Sequence, residues 1–156
     1  MSELRLDVVD APVAAALGHL LPPVTAQNAP FFDALLEGRL VLQRCGSCGR
    51  VRASRGPVCP HCGSEEATWE AVSGRGAVHS WIRYSRSYLP DLESLLPYIV
   101  LCVELAEGAR VFGRLREEAG ARPDPYPGMP VEAIVERWSD GIAMYAFTRV
   151  ERSRGE

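Results

Sequence analysis

Lysine is absent from this 156-residue chain: all 17 basic residues are arginine, which marks the coding bias of a GC-rich genome and carries no function of its own. Long apolar runs are also missing. Hydrophobic residues make up 47% of the chain, yet no run approaches the roughly 18 that a membrane-spanning helix needs, so a span is excluded and a globular protein expected. No positively charged, apolar, cleavable leader opens the sequence. A disulfide framework is therefore not expected, and a reducing, cytoplasmic setting is. Glycine-rich phosphate loops, nucleophile elbows and paired-carboxylate signatures are lacking as well, so the expectation is a protein without catalytic machinery of its own.

Cysteine is sparse, but four of the five cysteines are strictly spaced. Cys45-Gly-Ser-Cys48-Gly49 and Cys59-Pro-His-Cys62-Gly63 are two Cys-x-x-Cys-Gly knuckles, with ten residues between Cys48 and Cys59. That spacing supplies four thiolates for a tetrahedral zinc site, and the glycine closing each knuckle can take the positive φ of the turn. A thioredoxin-like redox motif would use one such pair beside a βαβ pattern, which is not present here. Four sulfurs close the coordination sphere and leave no position for an activated water, so the expected metal is structural. His61, inside the second knuckle, reads as an exposed spacer. A ribbon this small cannot bury a core, so metal binding has to supply its folding energy, on the order of 10 kcal/mol.

Charge is uneven along the chain. Residues 39–63 hold five arginines (Arg39, Arg44, Arg50, Arg52, Arg55) and no acid, whereas ten arginines face twelve acids from Gly76 onward. The ribbon is mildly basic and the remainder offers no broad basic field for a polyanion.

Within residues 1–29, Asp10 as N-cap and Pro12 in the first turn predict a short helix through Val13 to Leu21, ended by Pro22-Pro23, with mobile neighbours. A second helix is predicted from Pro30 to Glu37, with Asn28 as cap, Gly38 as stop, and Phe31, Phe32, Leu35 and Leu36 on its apolar side. Phe31 and Phe32 suit core packing and protein docking equally. Beyond the knuckles, five strands are predicted: Gly76 to Tyr84, Tyr98 to Leu105, Ala109 to Arg116, Val131 to Trp138 and Ala143 to Val150. Glu107-Gly108 and Asp140-Gly141 mark hairpins. Three strands, a longer connection and two more fit the partly open Greek-key barrel called the OB-fold, with an SH3-like barrel as the rival.

The remaining candidates are modest. Cys102 lies in the apolar run from Ile99 to Val103 and reads as a small buried thiol. His19 and His79 have no visible triad partner. The stretch from Arg75 to Tyr88 interleaves arginines with Trp81, Tyr84 and Tyr88. It suits a groove for stacked bases, a protein interface, or a barrel strand with one aromatic face inward.

In combined order, these residues resemble the bacterial and archaeal zinc-ribbon/OB-fold family known as domain of unknown function 35. The resemblance runs from Pro30 to Val150. It rests on Phe31-Phe32 before Glu37-Gly38-Arg39-Leu40, Leu42-Gln43-Arg44-Cys45 with both knuckles, Trp69, Ser73-Gly-Arg-Gly76-Ala-Val78 with Ser80-Trp81, Pro97-Tyr98-Ile-Val100, and Gly128-Met-Pro-Val131. Arg52-Ala-Ser-Arg55 departs from it, because relatives usually carry an aromatic residue and prolines there.

The resemblance implies a mainly β chain with N-terminal helices, in which a rubredoxin-like zinc ribbon precedes a five-stranded OB-fold barrel. The corresponding divisions are a leader with a short helix (1–29), an N-terminal helical segment (30–42), the ribbon (43–67) and the OB-fold domain (68–156). It also implies a non-catalytic partner of a thiolase-like enzyme, either a thiolase or the lipid-transfer-type aldolase of steroid side-chain breakdown. Such a subunit would stabilise that enzyme and help to shape the path of an acyl-coenzyme A thioester. The alternatives are a single-stranded nucleic-acid binder, and direct carriage of acyl-coenzyme A with Arg50, Arg52 and Arg55 on its phosphates.

Overall fold

The computed structural model describes residues 3–53, 56–117 and 124–150. The chain opens with strand β1 (Leu6–Val8) and helix α1 (Ala11–Leu17), which tightens into a 3-10 turn over Gly18–Leu20. Asp10 stands at the N-cap of α1 and Pro12 in its first turn, but the Asp10 carboxylate makes no capping hydrogen bond. The segment before the helix, expected to be mobile, is ordered: β1 runs parallel to the later strand β8 (Pro130–Ser139), with Leu6 opposite Val135 and Val8 opposite Arg137. A three-residue strand with one inward side chain has no periodicity to read, and its partner lies far along the chain.

Helix α2 (Ala29–Leu36) forms where expected. Asn28 at its N-cap does not cap with its side chain: Oδ1 accepts from the Thr25 N–H at 2.7 Å and Nδ2 donates to the Pro23 carbonyl at 3.0 Å, which fixes the preceding turn instead. Gly38, at φ +77°, ends the helix in the left-handed region. Phe31, Phe32, Ala34 and Leu35 are buried and join one continuous core with Leu40, Val41 and Leu42 and with the inner residues of the barrel. This decides for packing at Phe31 and Phe32, since no aromatic face of α2 is left for a partner.

The ribbon is a three-stranded antiparallel sheet with β2 (Val41–Cys45) between β3 (Val51–Arg52) and β4 (Ala67–Ala71). The barrel uses all five predicted strands, as β5 (Arg75–Tyr84), β6 (Tyr98–Leu105), β7 (Arg110–Arg114), β8 and β9 (Ile142–Arg149). β5, β6 and β7 form a meander, β8 pairs with the first residues of β5, and β9 pairs with β8. Leu115, just past β7, makes a parallel bridge to Phe147 of β9, and the Arg116 N–H donates to the Phe147 carbonyl at 2.7 Å. That contact brings the third and fifth barrel strands together and gives the Greek-key OB-fold.

Closure needs a bare backbone at one point. A Cβ on Gly113 would lie 2.8 Å from the Phe147 ring, so glycine is what lets β7 approach β9. The gap after β5 holds a 3-10 turn over Pro90–Leu95, while residues 118–123 of the longer connection between β7 and β8 lie outside the described residues. Among the described residues, no helix is long and apolar enough to cross a membrane.

Candidate metal centre

Both knuckles are built the same way. The Gly49 N–H donates to the Cys45 carbonyl and the Gly63 N–H to the Cys59 carbonyl, each at 2.9 Å, with the glycines at φ +71° and +76°. The Cys45 N–H then returns to the Arg50 carbonyl at 3.0 Å, and the Cys59 N–H to the Ser64 carbonyl at 2.8 Å. Ser47 and Ser64 tie the two turns together through their hydroxyls at 2.8 Å.

The result is that the Sγ atoms of Cys45, Cys48, Cys59 and Cys62 all lie within 4.8 Å of one another. Cys45 is 3.6 Å from Cys62 and Cys48 is 3.8 Å from Cys59. A tetrahedral zinc with Zn–S bonds of about 2.3 Å has sulfur–sulfur edges of about 3.8 Å, so the cluster fits that ion. His61 is exposed and stands outside the cluster.

The electrostatics of the four thiols favour a cation. The N–H groups of Cys48 and Ser47 aim at the Cys45 sulfur and, against burial, lower its pKa to about 6. The N–H groups of Cys62 and His61 likewise lower Cys59. Cys62 receives an N–H from Ser64 that favours its thiolate, but the Cys45 sulfur, burial and the other two sulfurs outweigh it and push Cys62 up to about 11. A cluster that readily gives up its first protons and resists losing the last needs a divalent ion to become fully ionised.

The arginines around the ribbon are not gathered into one site. Arg44 reaches the Glu70 carboxylate at 2.8 Å and the Gly49 carbonyl at 2.6 Å, while Arg39 pairs with Glu37. Arg50 is exposed, whereas Arg52 is buried, with Nη2 on the Gly56 carbonyl at 3.3 Å and, among the described residues, no partner for Nε or Nη1. Arg55 lies outside the described residues. Cys102 is a buried free thiol, and His19 and His79 are exposed.

The arginine and aromatic stretch on β5 is largely at the surface. Trp81, Tyr84 and Tyr88 are exposed, and Arg83 is occupied by Asp124. Phe112 on β7, which no sequence motif singles out, is 69% exposed. The available signal was two successive apolar residues, Val111 and Phe112, which must point to opposite faces of β7.

Family models match both halves of this architecture: the rubredoxin-like zinc ribbon domain of ChsH2 over residues 32–67 and the C-terminal OB-fold domain of ChsH2 over residues 69–136. A DUF35 domain-containing scaffold protein of Methanocaldococcus jannaschii is 34% identical over 116 residues, covering 69% of this chain and 78% of that protein. The chain belongs to the ChsH2/DUF35 family.

Two further family likenesses bear on its setting. A solved structure described as an Ltp2-ChsH2(DUF35) aldolase matches with a TM-score of 0.68 at 34% identity, covering 83% of this chain and 98% of that one. A probable enoyl-CoA hydratase alpha subunit of Thermomonospora curvata is 42% identical over 113 residues, covering 70% of this chain. This ChsH2/DUF35 chain spans only 33% of that relative's length.

Proposed function

We propose that this chain is a non-catalytic accessory subunit that binds and stabilises a thiolase-like enzyme, a thiolase or a lipid-transfer-type aldolase, acting on acyl-coenzyme A. Cys45, Cys48, Cys59 and Cys62 hold a structural zinc that sets the ribbon against the barrel. The observation that carries this reading is the four-sulfur cluster, which offers a metal no open position, on a chain alike over nearly the full length of the ChsH2(DUF35) component of an aldolase structure. Relatives named as scaffold proteins and as a hydratase subunit support an assembly role and a coenzyme A thioester as the substrate class. A cytoplasmic setting agrees with a metal site that requires reduced thiols.

Co-expression tests it. The tagged chain is produced with each thiolase-like gene of its own genome, and one such polypeptide is expected to co-purify in stoichiometric amount and to turn over an acyl-coenzyme A. Retention of none of them, or thioester turnover by the chain alone, overturns the reading.

A further inference from the structure

The outer surface of the meander β5, β6 and β7 is apolar where a solvated face would be polar. Cross-strand register places Ile82 opposite Val100, Tyr84 opposite Tyr98, and Ser80, Cys102 and Phe112 in one row. The rings of Tyr84 and Tyr98 stack with centroids 4.8 Å apart, so both stand on the same side of the sheet. The alternate residues Leu101, Val103 and Val111 fill the barrel core. On the outer side, Phe112 is 69%, Ile82 53% and Tyr84 39% exposed, with Tyr98 and Val100 half-buried between them.

With about 200 Å² for a whole aromatic side chain, this patch exposes on the order of 350 Å² of apolar surface, a size that commonly marks a contact site on a single chain. It is also roughly the apolar centre of an interface that buries about 800 Å² per partner, the rest being polar rim.

Charge selects the partner. Two arginines on this face are held in ion pairs: Arg110 with Glu104 at 3.0 Å, and Arg114 at 2.8 Å from the buried Glu136 carboxylate, which it shares with Arg116. A polyanion would require a row of free cations along a stacking surface, whereas Arg83, Arg110 and Arg114 on these strands are all held in ion pairs. A face centred on aromatic residues, with its arginines held in ion pairs, instead complements an apolar protein surface.

We infer that Ile82, Tyr84, Tyr98, Val100 and Phe112 form the docking face for the thiolase-like subunit, burying Phe112 at the centre of the contact. The inference rests on the partner reading above and assigns that reading a surface.

The test uses whichever thiolase-like polypeptide co-purifies from the co-expression. Its affinity for the full chain is measured by calorimetry for the unsubstituted protein, Phe112→Asp and Ile82→Asp. Each substitution is expected to weaken binding at least tenfold while leaving the melting temperature of the free chain unchanged, since both side chains are exposed. Unaltered affinity in both variants overturns the docking face and leaves the partner reading standing. Dimerisation of the free chain that Phe112→Asp abolishes would make this a contact between copies, and salt-dependent oligonucleotide binding lost in the same variant would make it a nucleic-acid face. Either result overturns the inference, and failure of every thiolase-like polypeptide to co-purify removes both.

Discussion

Phe31 of helix α2 meets Tyr145 of strand β9 edge to face, with ring centroids 6.1 Å apart and the planes at 79°. Tyr145 in turn donates its hydroxyl to the Phe112 carbonyl at 2.7 Å, so the N-terminal helix is joined through one aromatic pair to the region where β7 approaches β9. The helix is thereby an integral part of the barrel core.

Removal of the Phe31 ring should destabilise the whole domain. Phe31→Ala empties a site that is fully enclosed, at a cost of about 3–5 kcal/mol, equivalent to a fall in melting temperature of about 10 °C for a chain of this size. Calorimetry reads the shift. A melting temperature within a degree of the parent protein would mean that the helix is detachable.

The approach of β7 to β9 sets a second test. Gly113→Ala places a Cβ 2.8 Å from the ring of Phe147, which is itself fully buried, so relief requires the strands to part, at about 1–3 kcal/mol. Gly141→Ala, in the turn between β8 and β9, meets nothing within 4 Å and should be nearly neutral. Equal denaturant midpoints for the two variants would refute close packing at Gly113.

Metal removal should unfold the ribbon and spare the barrel. One zinc per chain is expected by elemental analysis, and Cys48→Ser should lower that content together with the chelator resistance of the ribbon. A chain with all four cysteines replaced by serine that keeps the near-ultraviolet spectrum of Trp69 would show that no ion is needed.

Acid should loosen the pairing of β2 with β4. The Arg44 guanidinium donates to Glu70 and holds its carboxyl below the ordinary 4.5. The pair therefore contributes stability that is complete above that value and is lost as pH falls through the lowered pKa. Both side chains are about 40% exposed, so solvent screens the pair and its contribution is small. The difference in stability between the parent protein and Glu70→Gln should be constant from pH 6 to 8 and shrink as the pH falls below 4.5. A difference that grows on acidification would rule out this pairing.

Local chemistry made much of this protein legible from its residues. The two Cys-x-x-Cys-Gly knuckles announce their own turns, because ligand spacing and a positive-φ glycine are sequential properties. The strands around Val103 and Val135 follow from alternation and apolar runs, and α2 from its apolar spacing between Asn28 and Gly38. What tertiary structure alone decided is wherever distant segments meet. The parallel strand at Leu6–Val8 exists because β8 offers it an edge, and Phe31 is core because Tyr145 lies above it. Phe112 is surface because the bridge between Leu115 and Phe147 turns its neighbours inward. Composition records how much apolar surface a chain carries; which part of it stays in water is set by strand pairings that no short window of sequence contains.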